Sequence, residues 1–447
     1  MTCSAAAIPG RSDERRFRRF SSGLPNALPL RALHWASSYF GVGCLLHSQG
    51  YSSDRYGRFP WIMGLGAAAS FEGLPQDSFS GLKQFSDAHP GWLFGFLSYD
   101  LKNQIERLTS ENFDGIGMPL MHFFSPVILL LPCQEGIEIG CLPGFGSLSD
   151  PENVFNAIVS TQIPCPSDMH IPQLRARVSK TEYLDTVSSI LNHIQQGDIY
   201  EMNYCTEHYA VSSQADPLLL WERLSLKSPA PFSAYYRIDD KHLVCASPER
   251  FLAKRGNKLV SQPIKGTMAR GKDPLQDEAL KHQLYLDPKE RSENVMIVDL
   301  VRNDLSRTAV KDSVKVEELF GIYSFRQVHQ MISTVVSELR PGVHFTDAIR
   351  HAFPMGSMTG APKVRTMQLI EQYEKTLRGL YSGAVGYISP EGDFDFNVVI
   401  RSILYNSGNR YLSYMAGGAI TIGSVPEKEY QECLLKASAM QKAIFDL

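Results

Sequence analysis

The most restrictive stretch of the sequence runs over residues 383–422. Its apolar segments are separated by Ser389-Pro-Glu-Gly-Asp393 and Asn406-Ser-Gly-Asn409, turn signals too short for anything but antiparallel pairing. The stretch reads as three consecutive strands. The first half of the chain has the same character: Trp61-Ile-Met-Gly64 and Trp92-Leu-Phe-Gly-Phe-Leu-Ser-Tyr99 are apolar runs punctuated by Gly and Pro. Helical signals stand apart from these strands instead of alternating with them. Ser179-x-x-Glu182 is a capping-box signature, and Tyr183, Val187, Ile190, Leu191 and Ile194 follow it at helical spacing up to Gly197. Further helices are expected over residues 274–305 and 427–444. There is no repeated β-α-β alternation and no G-x-G-x-x-G fingerprint, so a Rossmann or barrel fold is excluded. The pattern is that of an α+β fold.

A proline-rich break at residues 163–172 marks the main boundary. It divides the chain into a tail (1–23), an N-terminal subdomain (24–162) and a C-terminal domain (173–447), readable as one intertwined unit. Lys and Arg number 44 against 47 Asp and Glu, a net charge of −3, which argues against a nucleic-acid partner. The longest uninterrupted apolar run, residues 127–131, is fenced by Pro126 and Pro132, so no transmembrane helix is expected. The eight cysteines form no C-x-x-C pair and read as reduced thiols of a cytoplasmic protein. Five arginines between Arg11 and Arg19, offset by Asp13 and Glu14, read as a solvated tail, with a short organelle-targeting segment as the lesser alternative.

Several segments carry possible chemistry. Glu290 and Glu293 lie three apart on one expected helix, Glu429 and Glu432 three apart on another, so each helix can aim two carboxylates at one point. Such a set suits a hard cation such as Mg²⁺; the bland alternative is two solvated faces beside Lys289, Arg291 and Lys428. Lys265, in Ser261-Gln-Pro-Ile-Lys-Gly-Thr267, is either an ordinary surface lysine or a partly buried nucleophile. Gly356-Ser-Met-Thr-Gly-Ala-Pro-Lys363 leads into a helix that Ser357 or Thr359 can cap, leaving N–H groups for an anion. Ala416-Gly-Gly-Ala419 allows close approach of a ligand or of another backbone. On spacing alone, His329 reads as a core histidine.

Taken together and in order, the segments between about residues 180 and 440 resemble the chorismate-utilising enzymes. That family comprises anthranilate synthase component I, aminodeoxychorismate synthase component I, and the isochorismate and salicylate synthases. The resemblance rests on Gly197-Asp-Ile-Tyr200 with Asn203, Ser247-Pro-Glu-Arg-Phe251, the Pro263–Thr267 segment, and Ser292-Glu-Asn-Val-Met-Ile-Val-Asp-Leu-Val-Arg-Asn-Asp304. It continues through the Gly356–Lys363 segment, Gly383-Ala-Val-Gly-Tyr387, Val399-Ile-Arg401 and Glu429-Tyr-Gln-Glu432, and more loosely through Gly95-Phe-Leu-Ser-Tyr-Asp-Leu-Lys102. Within the family Lys265 discriminates, because anthranilate synthases carry alanine there and aminodeoxychorismate synthases lysine.

The resemblance implies antiparallel sheets in an αβ-sandwich-like unit with helices outside. It implies amination of chorismate through a covalent Lys265 intermediate, which requires a lysine pKa well below its ordinary value, with Glu249 as the acid for the departing hydroxyl. It implies Mg²⁺ held by Glu293 and Glu432, with Glu290 and Glu429 behind them. Gly266, Thr267, His329, Tyr381, Arg401, Gly417, Gly418, Ala419 and Lys436 are implied to bind chorismate; Ala419 departs from the family's usual glycine. No glutaminase signature is visible, so ammonia is expected from a separate amidotransferase subunit. Anthranilate or isochorismate formation is the alternative chemistry, and a non-catalytic chorismate-binding subunit the more distant one.

Overall fold

The computed structural model describes residues 14–24, 27–165, 169–326 and 328–446. All its strand ladders are antiparallel, and they join into one continuous hydrogen-bonded array. The array doubles over into two facing sheets that share the strand Met121–Cys133. From that strand one sheet runs through Trp61–Glu72, Val42–His47, Phe232–Ile238, Lys241–Ser247, Ser402–Asn406 and Tyr411–Thr421 to Glu201–Ala210. The other runs through Leu93–Leu97, Ala384–Ile388, Phe394–Asn397, Arg250–Arg255, then Lys258–Gln262 with its continuation Ile264–Ala269, and Val328–Glu338 to Lys315–Ser324.

Alternation along the shared strand shows why the sheets fold together. Phe124 and Leu129 enter a core between the sheets with Phe96, Tyr236, Leu243, Val385 and Leu404. Phe123 points out to one helix-covered face; Ile128 and Leu130 point to the other. Helices Leu28–Ser37, Pro151–Ser160, Lys180–Gln195, Pro217–Lys227 and Pro426–Phe445 cover the first sheet. Helices Ser78–Ala88, Pro288–Ser306 and Phe345–Ala352 cover the second. Sheets buried on both faces explain the near-continuous apolar runs, where a half-solvated antiparallel sheet would show alternation.

The α+β class and the sandwich are as expected, and the capping box is formed: Ser179 Oγ accepts from Glu182 N at 3.3 Å and Glu182 Oε2 from Ser179 N at 2.9 Å. Three local expectations need correction. Residues 383–422 hold four strands in two hairpins, one in each sheet, because the chain crosses between sheets over residues 398–401. Residues 274–305 are two helices, Pro274–Leu286 and Pro288–Ser306, divided at Asp287, whose side chain caps the second. Within the expected tail, Arg16–Phe20 is a strand paired with Gly136–Cys141, while residues 1–13 lie outside the described residues.

Candidate active site

One strand of each sheet meets the other through a side-chain pair. Glu201 opens the strand Glu201–Ala210 of the first sheet, Lys265 lies on Ile264–Ala269 of the second, and Lys265 Nζ donates to Glu201 Oε1 at 2.5 Å. Both are buried, with Glu201 only 1% exposed. The other carboxylate oxygen, Glu201 Oε2, is buried with no hydrogen-bond partner among the described residues. Burial alone would push the Lys265 ammonium down, but Glu201, Glu293 and Glu249 outweigh it and hold it above its ordinary value. The depressed lysine expected from the sequence is therefore not what the protein shows by itself.

Glu249 sits in the turn between Lys241–Ser247 and Arg250–Arg255. Burial pushes its carboxyl up to about 7, against the opposing pull of Ser357, Lys265 and Arg401. Ser357 Oγ donates to Glu249 Oε1 at 2.6 Å. That contact corrects the capping expectation: Pro362 is the N-cap of helix Lys363–Tyr373 with no side-chain cap, and Thr359 bonds back to Met355 O. Lys363 at the end of the segment is taken up by Asp304 at 2.9 Å. Arg401 lies at the crossing between sheets with φ 50°, a left-handed conformation that costs a non-glycine residue about 1–2 kcal/mol. Burial pulls its half-buried guanidinium below its ordinary value, and Glu249 works against that. No described residue forms a hydrogen bond or ion pair with that guanidinium.

Helices Pro288–Ser306 and Pro426–Phe445 bring their glutamates to the same end. Lys289 Nζ is 3.8 Å from Glu293 and 4.0 Å from Glu429. Burial pushes Glu293 up to about 7 and Glu290 upward, whereas Lys436, at 2.8 Å, holds Glu432 below its ordinary value. Thr421 Oγ1 donates to Glu293 at 3.4 Å, and Lys436 Nζ also reaches Gly417 O at 3.1 Å. A Cβ on Gly266 would lie 3.1 Å from Glu290 Oε2; one on Gly418 would lie 3.6 Å from both Glu429 Oε2 and Lys436 Nζ. Gly417 is required by packing, since its Cβ would sit 2.1 Å from Tyr204 O. Gly417, Gly418 and Ala419 pair with Cys205, Tyr204 and Asn203 on the strand that carries Glu201.

The remaining candidates are placed differently. Thr267 is exposed beside Gly266. The Tyr381 hydroxyl lies 3.6 Å from Cys205 Sγ in the core. His329 is fully buried with both ring nitrogens engaged, Nδ1 with Ser324 Oγ at 2.8 Å and Nε2 with Asp277 Oδ1 at 3.0 Å. Sequence reasoning missed Glu201, although a carboxylate that directly follows Gly197-Asp-Ile-Tyr200 and opens an otherwise uncharged run was a signal. It also missed Arg378. That buried guanidinium pairs with Glu374 at 2.7 Å and donates to Met358 O and Asn203 O, fastening the Ser357 segment to the Glu201 strand. A separate cavity of about 330 Å³, lined by His47, Tyr51, Phe232, Arg250 and Tyr387, lies between the sheets and includes none of these site residues.

Residues 38–442 match the chorismate binding enzyme family. The chain belongs to that family. Among its relatives, aminodeoxychorismate synthase component 1 of Bacillus subtilis is 34% identical over 365 residues, covering 79% of this chain and 77% of the relative. Anthranilate synthase component 1 of Geobacillus stearothermophilus is 33% identical over 390 residues, covering 81% and 76%. The chloroplastic aminodeoxychorismate synthase of Arabidopsis thaliana is 38% identical over 373 residues; there the match covers 80% of this chain but only 40% of the relative. The chain likewise spans 30% of a rice relative named as a probable chloroplastic enzyme of the same kind. Among solved structures, anthranilate synthase component I from Streptococcus pneumoniae superposes with a TM-score of 0.74 at 26% identity, covering 87% of this chain and 93% of that one. The menaquinone-specific isochorismate synthase from Escherichia coli shares the fold, with a TM-score of 0.77 at 19% identity over 98% and 95% of the two chains.

In this member of the family the donor set at the helix ends bears on a metal ion. The four glutamates supply only hard carboxylate oxygens, and burial leaves Glu293 short of compensating positive charge. Among the described residues no three acidic, histidine or cysteine side chains converge as a ready metal cage. Two protein carboxylates completed by water and an anionic substrate is the arrangement Mg²⁺ commonly accepts, so the donors fit such a site. No described helix is long and apolar enough to cross a membrane.

Proposed function

We propose that the protein is component 1 of an aminodeoxychorismate synthase, converting chorismate and ammonia to 4-amino-4-deoxychorismate on the way to 4-aminobenzoate and folate. The observation that carries this reading is a buried lysine, Lys265, beside a buried carboxylic acid, Glu249, poised near neutrality. In this reading the Lys265 amine attacks C2 of chorismate and Glu249 protonates the C4 hydroxyl, which is otherwise a poor leaving group. Ammonia then adds at C4 and expels the lysine. The name of the Bacillus subtilis relative supports the assignment, and an alanine at position 265 would remove the amine it needs. Anthranilate formation is the second reading, favoured by the comparable identity of the Geobacillus relative.

Arg401, without a protein partner, is suited to fork onto a chorismate carboxylate. Lys436, the backbone of Gly417, Gly418 and Ala419, and Gly266, Thr267, Tyr381 and His329 would complete the chorismate-binding set in this reading. Glu293 and Glu432 would hold Mg²⁺, with Glu290 and Glu429 behind; the ion would offset the charge of a substrate carboxylate between two acidic helix ends. Ammonia would come from a second, glutamine-hydrolysing component, as the relatives' designation "component 1" supports. The seven described cysteines are all free thiols, which suits a reducing compartment, the cytoplasm or, as the plant relatives' names suggest, a plastid.

Incubation with chorismate, Mg²⁺ and an ammonium salt, followed by mass analysis of the product, tests the reading. 4-Amino-4-deoxychorismate is expected; anthranilate or isochorismate would overturn it. Excess EDTA should stop turnover, and persisting activity would remove the two-glutamate metal site.

A further inference from the structure

The contact between Glu201 and Lys265 has a chemical consequence, which rests on the reading of Lys265 as the nucleophile. An ammonium has no lone pair, so Lys265 must lose a proton before it attacks carbon. Five carboxylates act on it: Glu201, Glu249 and Glu293 most strongly, then Glu290 and Glu432 from the two helices. Among the described residues only Glu201 is in hydrogen-bond contact with Lys265 Nζ, at 2.5 Å. Glu249 is unsuited to receive that proton, since it must hold one of its own for the departing hydroxyl. A purely structural buried ion pair would satisfy both carboxylate oxygens, yet Glu201 Oε2 is sequestered without a partner.

We propose that Glu201 is the catalytic base of Lys265, taking its proton for the attack and returning it when the lysine is expelled. In the first half the Nζ–H bond breaks and an Oε1–H bond forms. The neutral amine bonds to C2, the ring electron pairs shift toward C4, and the C4–O bond breaks, its oxygen leaving as water with the proton of Glu249. In the second half ammonia bonds to C4, the electrons shift back and the C2–Nζ bond breaks. The lysine leaves as a neutral amine and recovers its proton from Glu201. The new C4 ammonium gives its surplus proton to the Glu249 carboxylate. The sum is chorismate plus ammonia to aminodeoxychorismate plus water, with all three side chains restored.

The test compares wild type, Glu201→Gln, Glu201→Asp and Lys265→Gln on chorismate, Mg²⁺ and ammonium salts across pH 7 to 9.5, with the fold of each checked by circular dichroism. For Glu201→Gln, kcat at pH 7 is expected to fall roughly 100- to 1,000-fold, the range for a positioned base, with little change in chorismate KM. That loss should shrink as pH rises and solvent takes over the deprotonation, and Glu201→Asp should recover much of the rate. A Glu201→Gln rate close to wild type at pH 7 would overturn the assignment. So would a loss equal at every pH and equally deep in the Asp variant, which marks a packing role. Failure of the underlying reading looks different: wild type makes no aminodeoxychorismate, or Lys265→Gln keeps the wild-type rate.

Discussion

Arg250, which follows Glu249 in the chain, and Arg401, whose charge acts on Glu249, have opposite surroundings. Arg250 is 1% exposed between the sheets, where both oxygens of Asp54 and both of Asp395 accept from it at 2.6–3.0 Å. Gln262 accepts as well, and the guanidinium lies over the Phe232 ring at 4.7 Å. Every donor direction is used, and Asp54 is held below its ordinary value despite its burial. Arg401 has none of this, and its own backbone is held in a left-handed conformation. The same imbalance recurs around it, in the orphan oxygen of Glu201 and the raised carboxyls of Glu249 and Glu293. Matched charge ties segments distant in sequence together. Mismatched charge, left standing beside it, is available to a substrate.

Four substitutions would break or sharpen that contrast. The largest effect is expected for Lys265→Gln, whose amide still donates to Glu201 and so spares the fold. Aminodeoxychorismate formation should drop roughly a thousandfold or more, as read by product mass; a wild-type rate would remove the nucleophile role. Next, Arg250→Met should cost about 3–5 kcal/mol of stability by leaving the largely buried Asp54 without its counter-charge and Asp395 with Arg255 alone, measured by denaturant unfolding. If stability is unchanged, the matched cluster is not what holds the sheets.

Arg401→Ala should leave Tm unchanged or raised while chorismate KM rises about 10- to 100-fold, the value of lost charged hydrogen bonds. A fall in Tm with KM unaffected would place Arg401 with Arg250. The last prediction concerns pH. Because the folded Glu249 carboxyl sits near 7, above the 4.5 of an ordinary glutamate, its contribution to stability is full below about pH 4.5 and is lost as pH rises through 7. Glu249→Gln should therefore gain on wild type by about 2–3 kcal/mol between pH 5 and 8, while still binding chorismate without turnover. A pH-independent stability difference would place the carboxyl at an ordinary value.

The sequence shows the fold best where structure is decided locally. The Ser179 capping box and both hairpin turns were legible because the residues that make them are neighbours. The crossing at residues 398–401 was not, since Val398 and Val399 are as apolar as strand residues and hydropathy does not tell which sheet a strand joins. The site was legible where motif segments carry it, as at Lys265, Glu249 and the paired glutamates. Ser357 was read as a cap because its neighbours in sequence suggest one, whereas its hydroxyl serves Glu249, 108 residues away. Glu201 and Lys265 are 64 residues apart, and Arg250 finds Asp54 and Asp395 at separations of 196 and 145. Pairings at such range leave no local spacing to read.

The link between the two sheets at the candidate site has a mechanical corollary. Among the described residues Glu201–Ala210 and Ile264–Ala269 share no backbone ladder, and a charge pair, Glu201 with Lys265, joins them. Each strand is fixed elsewhere, Glu201–Ala210 by Tyr411–Thr421 and Gly360–Ala361, Ile264–Ala269 by Val328–Glu338. A ladder spreads its load over many hydrogen bonds, whereas a single side-chain pair parts without moving either backbone. In the proposed reaction Lys265 would therefore exchange Glu201 for carbon while the scaffold on both sides stays still.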